Sequence, residues 1–305
     1  MNTLRSILTT CGITLLGLVA LPLSAVTITG DFSDYTAPSS EGPALTTAAG
    51  FAPPGGNSTG WLNGWRSAGH SGGAGATVTA QVLDTSPINS GGNYLSGVFT
   101  ANSVASGTKD GFSLTRAYDV AGNSLASATA LYVNYDLRVD SINVSTMNIN
   151  LFDANVRSTT GSSTVSSWQI VVQNGVWRAY NGGTLTTLSG LSFNAGVTYS
   201  VAIVANPTTF KWDFTISDGL SSVSGTNFGF RANNFSTDST TGDGRWIGFG
   251  AVESTDIASQ SATFSLDNIY IGTTAAIPEP SSYALLFGAA SLGLMLIGKR
   301  RRRCS

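Results

Sequence analysis

Carboxylate side chains are the first residues to consider for chemistry, because hydrolysis of a glycosidic bond needs two of them flanking the bond, about 5–10 Å apart. Between the two ends of the chain the only glutamates are Glu41 and Glu253, and they belong to no common run. Asp136 and Asp140 share one face of a predicted strand, where a solvated surface is the simpler explanation. The sole histidine, His70, lies in a Gly- and Ser-rich segment with no nucleophile motif beside it. The sequence therefore predicts no catalytic residue and no enzyme.

Tryptophan side chains offer a different chemistry, since an indole ring can stack on the apolar face of a sugar. Trp61 and Trp65 lie in a long Gly- and Pro-rich segment, residues 37–75, and Trp177 follows a tight-turn pair at 174–175. These three residues are the candidates for binding a polysaccharide. The alternative is that they cap the ends of a hydrophobic core.

Three aspartates, Asp31, Asp34 and Asp267, form the candidate metal site. The first predicted strand ends in Gly30-Asp31-Phe32-Ser33-Asp34, and the last predicted strand, residues 264–271, contains Asp267. The apolar positions of that last strand change parity midway, which predicts a β-bulge at 267–268. If the two strands are neighbours, the three carboxylates could supply oxygens to a structural Ca²⁺. Asx turns and strand-end caps are the alternative explanation.

Strands must position these residues, because period-2 alternation of apolar and polar residues is widespread and no helical periodicity of useful length occurs. The longest alternating runs are residues 131–139, 197–205 and 210–216, and turn pairs such as Asn174-Gly175 separate the runs. About a dozen strands that each bury one face predict two packed antiparallel sheets. The predicted fold class is all-β, a two-sheet jelly-roll sandwich.

Charge and cysteine content narrow the partners of this sandwich domain, residues 26–276. Only 10% of the 305 residues are charged, so Ser, Thr and Asn must supply most of the polar surface. Six of the 15 basic residues and one of the 17 acidic residues lie in the terminal segments, which leaves the domain a net charge of about −7. An acidic domain argues against nucleic acid as a partner. Both cysteines, Cys11 and Cys304, lie outside the domain, which excludes disulfides within it.

The N-terminal segment, residues 1–25, has the composition of a secretory signal peptide. Arg5 supplies the positive charge, an apolar core follows, and Ala25 is a small residue at the position that signal peptidase would cleave. Signal peptidase is therefore a predicted partner, and export is the predicted route.

The C-terminal segment, residues 277–305, has three parts in a fixed order. Residues 277–280 contain Pro278-Glu279-Pro280, residues 281–298 are uncharged and apolar, and residues 299–303 are five consecutive cations. An apolar segment of this length followed by cations predicts a single transmembrane helix with its basic end in the cytoplasm. The sandwich domain is therefore expected outside the cytoplasmic membrane.

The order of Pro278, Glu279 and Pro280, an apolar span, and then Lys299, Arg300, Arg301, Arg302 and Arg303 resembles the PEP-CTERM sorting signal of bacteria with an outer membrane. The resemblance implies recognition by an exosortase, an integral-membrane cysteine protease or transpeptidase, with processing near the Pro-Glu-Pro. It also implies association with exopolysaccharide and biofilm matrix.

A second resemblance concerns the domain itself. Residues 168–172, 175–177, 196–199 and 264–271 are similar to strands of the concanavalin A-like, laminin-G-like jelly roll, which implies that fold. The Glu-x-Asp-x-x-Glu strand of the retaining glucanases in that superfamily is absent here.

These observations predict an exported, non-enzymatic protein of the cell surface or the extracellular matrix. The alternative is a carbohydrate-binding, lectin-like module with an extracellular polysaccharide as its partner. A polysaccharide hydrolase or lyase is less favoured, because the acid pair is missing. The membrane is expected to hold the chain through its C-terminal helix until the tail is processed.

Overall fold

The computed structural model describes residues 26–30, 32, 39–40, 60–62, 64–69, 77–88, 92–101, 111–157, 161–238, 244–254 and 260–275. The predicted signal peptide and sorting tail lie outside these residues, as do Asp31, Asp34, His70 and most of the segment 37–75. Within the described ranges, no helix combines the length and the apolar composition needed to cross a membrane.

The described residues form sixteen strands and one 3₁₀ turn, Leu125–Ser127. The strands of a nine-stranded sheet are β1 (Thr27–Gly30), β2 (Ser39–Ser40), β4 (Thr77–Leu83), β5 (Tyr94–Ala101), β7 (Leu131–Ser141), β12 (Thr198–Asn206), β13 (Lys211–Ser217), β14 (Ser222–Gly229) and β16 (Gln260–Gly272). Those of a seven-stranded sheet are β3 (Arg66–Gly69), β6 (Gly111–Asp119), β8 (Met147–Ala154), β9 (Ser166–Gln173), β10 (Val176–Asn181), β11 (Thr184–Ser192) and β15 (Gly244–Glu253). The predicted all-β class with two sheets is confirmed.

Both sheets are antiparallel. The nine-stranded sheet has the order β14-β13-β12-β7-β16-β5-β4-β2, with β1 paired to the second half of β16, and the seven-stranded sheet has the order β11-β10-β9-β8-β15-β6-β3. Strands β7 and β16, in the middle of the larger sheet, are distant in sequence from several of their neighbours. The sheet therefore brings the first and last parts of the domain together.

The alternation predicted for β7, β12 and β13 is confirmed. Leu131, Val133, Tyr135, Leu137 and Val139 of β7 are all buried, and the polar residues between them are half-exposed. The apolar residues of β12 and β13 point to the same side, so the nine-stranded sheet buries one face and hydrates the other.

The seven-stranded sheet behaves differently, because its central strands are buried on both faces. Eight of the nine residues of β6, seven of the eight of β9 and nine of the ten of β15 are buried. Their outward positions carry residues such as Ser113, Thr115 and Gln169, each at most 2% exposed. The alternation rule does not identify the solvent side of this sheet.

Local chain geometry follows the sequence at two predicted places. Asn174 and Gly175 have φ of 53° and 71°, the positive values that a two-residue type I′ hairpin turn requires between β9 and β10. At 267–268 the register of β16 against β7 shifts and Asn268 has φ of 53°, so the predicted bulge is confirmed. There β16 changes its other neighbour from β5 to β1.

The core lies between the sheets and is rich in aromatic side chains. Tyr135 of β7 meets Phe249 of β15 edge-on with ring centroids 5.0 Å apart, and Trp168 of β9 lies 6.4 Å from Trp212 of β13. Each pair joins one sheet to the other. Edge-to-face and offset aromatic pairs of this kind each add about 0.5–1.5 kcal/mol beyond the area they bury.

Candidate functional site

The three tryptophans predicted to bind sugar are core residues. Trp61, Trp65 and Trp177 are 3%, 0% and 0% exposed. Trp61 donates from Nε1 to the Thr29 carbonyl oxygen at 2.8 Å, and the Arg116 guanidinium lies 4.4 Å from the centre of its ring. Trp177 packs edge-on against two other rings, Phe193 and Tyr199. The sugar-stacking prediction is therefore corrected, because it needed exposed rings and these rings are buried in the core.

The predicted calcium site is described only in part. β1 pairs with β16 as far as Gly30 opposite Ile269, so the two strands are neighbours as expected. Asp267 is 2% exposed and accepts a hydrogen bond of 2.8 Å from the backbone N–H of Asn268. Among the described residues no three His, Cys, Asp or Glu side chains lie together as metal ligands. Because Asp31 and Asp34 lie outside those residues, the calcium site stays a prediction.

The aspartates on the outer face of the nine-stranded sheet are held by neighbouring strands. Asp136 accepts hydrogen bonds from Ser200 Oγ at 2.6 Å and from Asn268 Nδ2 at 2.8 Å. Asp140 forms an ion pair with Arg138 at 2.5 Å, in which the two side chains are 30% and 31% exposed. Both aspartates thus have the surface role that their strand positions predict.

A buried charge cluster, Tyr118, Asp153, Ser167 and Arg245, lies between the sheets. The Asp153 carboxylate accepts hydrogen bonds from Tyr118 Oη at 2.5 Å, from Arg245 Nε at 2.7 Å and from Ser167 Oγ, and it lies 2.5 Å from Arg245 Nη2. Burial, reinforced by the Asp153 carboxylate, raises the pKa of the Tyr118 phenol well above its ordinary value, so Tyr118 stays a donor. The cluster ties β6, β8, β9 and β15 together and is a structural feature.

A group of polar and charged residues lies on the outer face of the seven-stranded sheet. We call them the arginine face: Asn148, Asn150, Gln169, Arg178, Tyr180 and Arg231. The five of these residues that lie on strands point outward because their strand neighbours, including Ile149, Ile170, Trp177 and Ala179, belong to the core. Arg231 lies in the connection after β14. The cross-strand register sets Asn150, Val171 and Arg178 in one row.

Three side-chain contacts and one backbone hydrogen bond hold four residues of the arginine face. The Arg231 guanidinium lies 3.8 Å from the centre of the Tyr180 ring, a cation–π geometry. Arg231 Nη1 donates to Gln169 Oε1, and Gln169 Nε2 donates to Asn150 Oδ1 at 3.0 Å. The backbone of Arg231 is itself anchored by a 2.8 Å hydrogen bond from its N–H to the Ser167 carbonyl. Side chains from three strands and one connection therefore form one connected network.

Burial sets the electrostatics of this row. It lowers the pKa of the Arg231 guanidinium, and the neighbouring Tyr180 opposes that effect. An arginine side chain stays protonated in proteins, so Arg231 remains a cation. Arg178, Tyr180 and Arg231 are half-exposed, whereas Asn150 and Gln169 are 6% and 2% exposed.

Three buried polar atoms of the arginine face have unmet hydrogen-bonding capacity. Asn148 Oδ1, Arg178 Nε and Arg231 Nε find no hydrogen-bond partner within the part of the chain that the structure describes. Buried polar atoms in folded proteins are usually paired, so each such atom asks for an explanation. Two of the three are donors on cations whose side chains are half-exposed.

Sequence reasoning missed the arginine face. Arg178 and Tyr180 alternate with Trp177 and Ala179 along β10, so their position opposite the core could have been read from period 2. Arg231 gave no such signal, because it lies after β14 and reaches Gln169 across 62 positions of the chain.

Comparison with known proteins gives similarity of fold only. No family model and no curated protein matches the chain. Among solved structures, the conserved carbohydrate esterase of the Shiga toxin-encoding bacteriophage phi24B is 16% identical with a TM-score of 0.41, and the match covers 69% of this chain and 90% of that one. A protein of unknown function from Shewanella oneidensis MR-1 is 14% identical with a TM-score of 0.42, covering 70% and 90%. Arcelin-5, a lectin-like defense protein from Phaseolus vulgaris, is 10% identical with a TM-score of 0.32, covering 68% and 98%. At these values the similarities carry no argument about what this chain binds.

Proposed function

We propose that this chain is an exported, non-enzymatic protein that binds polysaccharide at the cell surface through its arginine face. The observation that carries the proposal is the Arg231–Tyr180 stack, 3.8 Å from cation to ring centre, beside the bonded amides of Gln169 and Asn150. A polysaccharide presents many oxygen acceptors along an extended chain, and the half-exposed guanidinium groups of Arg178 and Arg231 carry N–H donors on this face.

Rigidity favours this assignment. Strands hold Gln169, Arg178 and Tyr180, and Arg231 is held by its own backbone hydrogen bond and by its contact with Tyr180. A site whose donors are ordered before binding loses less entropy when the ligand arrives. This matters for a sugar polymer, whose individual hydrogen bonds exchange with water and contribute little each.

The export and sorting of the protein are part of the same proposal. We propose cleavage of residues 1–25 by signal peptidase and recognition of Pro278-Glu279-Pro280 with its following apolar and basic segments by an exosortase-type enzyme. We also propose that the sandwich is of the concanavalin A-like jelly-roll type, which the pairing of the first strand with the last supports. Mass spectrometry of the mature chain tests the proposed export and processing. We expect termini near residues 26 and 278–280, and an untrimmed chain in the cytosol would contradict the proposal.

Binding is tested with immobilised polysaccharides of varied composition and the purified full-length chain. We expect retention on at least one of them and loss of most of that retention in Tyr180→Ala, because the substitution removes the support of Arg231. Tyr132→Ala is the matched control, since Tyr132 is a half-exposed tyrosine on the outer side of β7 in the other sheet. Retention on no polysaccharide, or equal loss in both variants, would leave adhesion or matrix structure without sugar binding as the function.

A further inference from the structure

The basic residues of this acidic domain are distributed unevenly between the two sheets. Arg116 and Arg245 are at most 2% exposed and point into the core. Arg138 and Lys211, on the outer face of the nine-stranded sheet, alternate there with the aspartates of β7 and β13, namely Asp136, Asp140 and Asp213. The cations of that face are therefore compensated by carboxylates.

The arginine face has cations without this compensation. Among the described residues of β8, β9 and β10 that point outward, there is no carboxylate. Asp238, in the same connection as Arg231, is 1% exposed and accepts a 2.7 Å hydrogen bond from Trp246 Nε1. Arg178 and Arg231 are thus two half-exposed guanidinium groups on a domain of net negative charge, and each keeps an Nε donor without an acceptor in the described structure. Two further arginines, the half-exposed Arg66 of β3 and the exposed Arg157, also lie outside the core.

Guanidinium groups match carboxylates in shape as well as charge. The planar guanidinium presents a fork of N–H donors to the two oxygens of a carboxylate, and such charge-assisted bonds are about twice as strong as neutral ones. Arg178 and Tyr180 are two residues apart on β10, so their Cα atoms are separated by about 6–7 Å along the strand. Arg231 stacks on Tyr180, so one extended polymer laid along β10 would meet both cations.

Resting on the proposed function, we propose that the ligand of the arginine face is an acidic polysaccharide whose uronic acid carboxylates bind Arg178 and Arg231. The net negative charge of the domain then disfavours such a polymer on its carboxylate-bearing surfaces. Charge on the remaining surface contributes to selectivity in the same way that unfavourable contacts exclude wrong partners at protein interfaces.

The test uses the purified full-length chain and three probes: alginate as a polyuronate, dextran sulfate as a sulfated polymer and dextran as a neutral one. We expect calorimetry to show alginate binding that weakens as salt is raised, because exposed charges are screened. Arg178→Gln and Arg231→Gln are each expected to weaken it about tenfold or more, equivalent to about 1.4 kcal/mol. Arg231→Lys should lose most of the affinity too, because lysine keeps the charge but not the planar fork.

Lys211→Gln is the matched control, because it removes the same charge from an exposed strand position of the opposite sheet. We expect its alginate affinity to stay within about twofold of the wild type. An equal loss in Lys211→Gln, or dextran sulfate binding as tightly as alginate, would show a general charge effect and overturn the uronate inference.

Two further outcomes separate this inference from the proposed function. Dextran binding as tight as alginate binding and insensitive to the arginine variants would overturn the acidic ligand and leave polysaccharide binding standing. Binding to none of the three probes, nor to any other polysaccharide, would overturn both. A second measurement covers variants that fail to fold: phenylglyoxal modification of the wild type, mapped by mass spectrometry, should be blocked at Arg178 and Arg231 by alginate and not by dextran.

Discussion

Replacing Asp153 by asparagine should destabilise the protein by about 3–5 kcal/mol, the cost of leaving a buried charge without its partner. The Arg245 and Asp153 side chains are 0% and 2% exposed, so water cannot compensate the guanidinium once the carboxylate is neutral. Asparagine has about the same volume as aspartate and keeps one carbonyl oxygen. The loss of stability would therefore come from the missing charge and not from a cavity. Two other donors, Tyr118 Oη and Ser167 Oγ, would also lose a charged acceptor.

The assay is urea unfolding of the purified chain, with the midpoint and the slope both recorded. Asp140→Asn is the control, because its ion pair with Arg138 has the same chemistry but is about one-third exposed, and it should cost about 1 kcal/mol or less. The double variant Asp153→Leu/Arg245→Met should be more stable than Asp153→Asn, since it removes both buried charges. A loss in Asp153→Asn no larger than that in Asp140→Asn would refute the reasoning, because it would mean that Arg245 is solvated.

Two further predictions concern packing and a turn. Gly97→Ala should lower the free energy of unfolding in urea by about 1–3 kcal/mol, because the added Cβ would lie 2.1 Å from the ring of Phe264, which is stacked on Phe99. Gly183→Ala is the control and should be nearly neutral, because its Cβ would meet no atom of the described residues within 4 Å. Equal losses of stability in the two variants would contradict the packing argument. NMR titration should place the pKa of Asp218 below its ordinary value, because the carboxylate accepts hydrogen bonds from the backbone N–H groups of Ser221 and Leu220. The Asp218 carboxylate then stabilises the fold fully above the ordinary aspartate pKa, and this stabilisation is lost as the pH falls through the lower pKa of the folded state. A measured pKa at or above the ordinary value would contradict this prediction.

The one-sided burial of three strands of the nine-stranded sheet could be predicted from the sequence because it follows a local rule. β7, β12 and β13 bury one face each, so apolar and polar residues alternate and the period-2 pattern is visible. The bulge at 267–268 was also visible, since an extra residue must appear wherever the apolar positions change parity within one strand. In both cases the information lies within about ten consecutive residues.

The contacts of the candidate site could not be predicted, because they join residues that are distant in sequence. Arg245 reaches Asp153 across 92 positions and Arg231 reaches Gln169 across 62. No pattern in a single strand indicates which partner a buried arginine has. The exposure predicted for the tryptophans was wrong for a related reason. The Gly- and Pro-rich sequence around Trp61 and Trp65 predicted exposed rings, but Trp65 packs on Phe249, which is almost two hundred residues away in the sequence.

The central strands of the seven-stranded sheet do not alternate between buried and exposed residues, and this departure is an argument about function. An outward face that is both buried and polar costs free energy unless its groups bond to one another, and Asn150 and Gln169 do so at 3.0 Å. Val171, directly opposite Asn150 and Arg178 in the register, shows that an apolar side chain fits this face. A sheet with only structural demands would be more stable with more such residues, because replacing buried charged or polar pairs by apolar ones is often stabilising. The arginine face instead carries hydrogen-bonded amides, Asn150 and Gln169, beside half-exposed cations. This is the arrangement expected where stability is given up for binding.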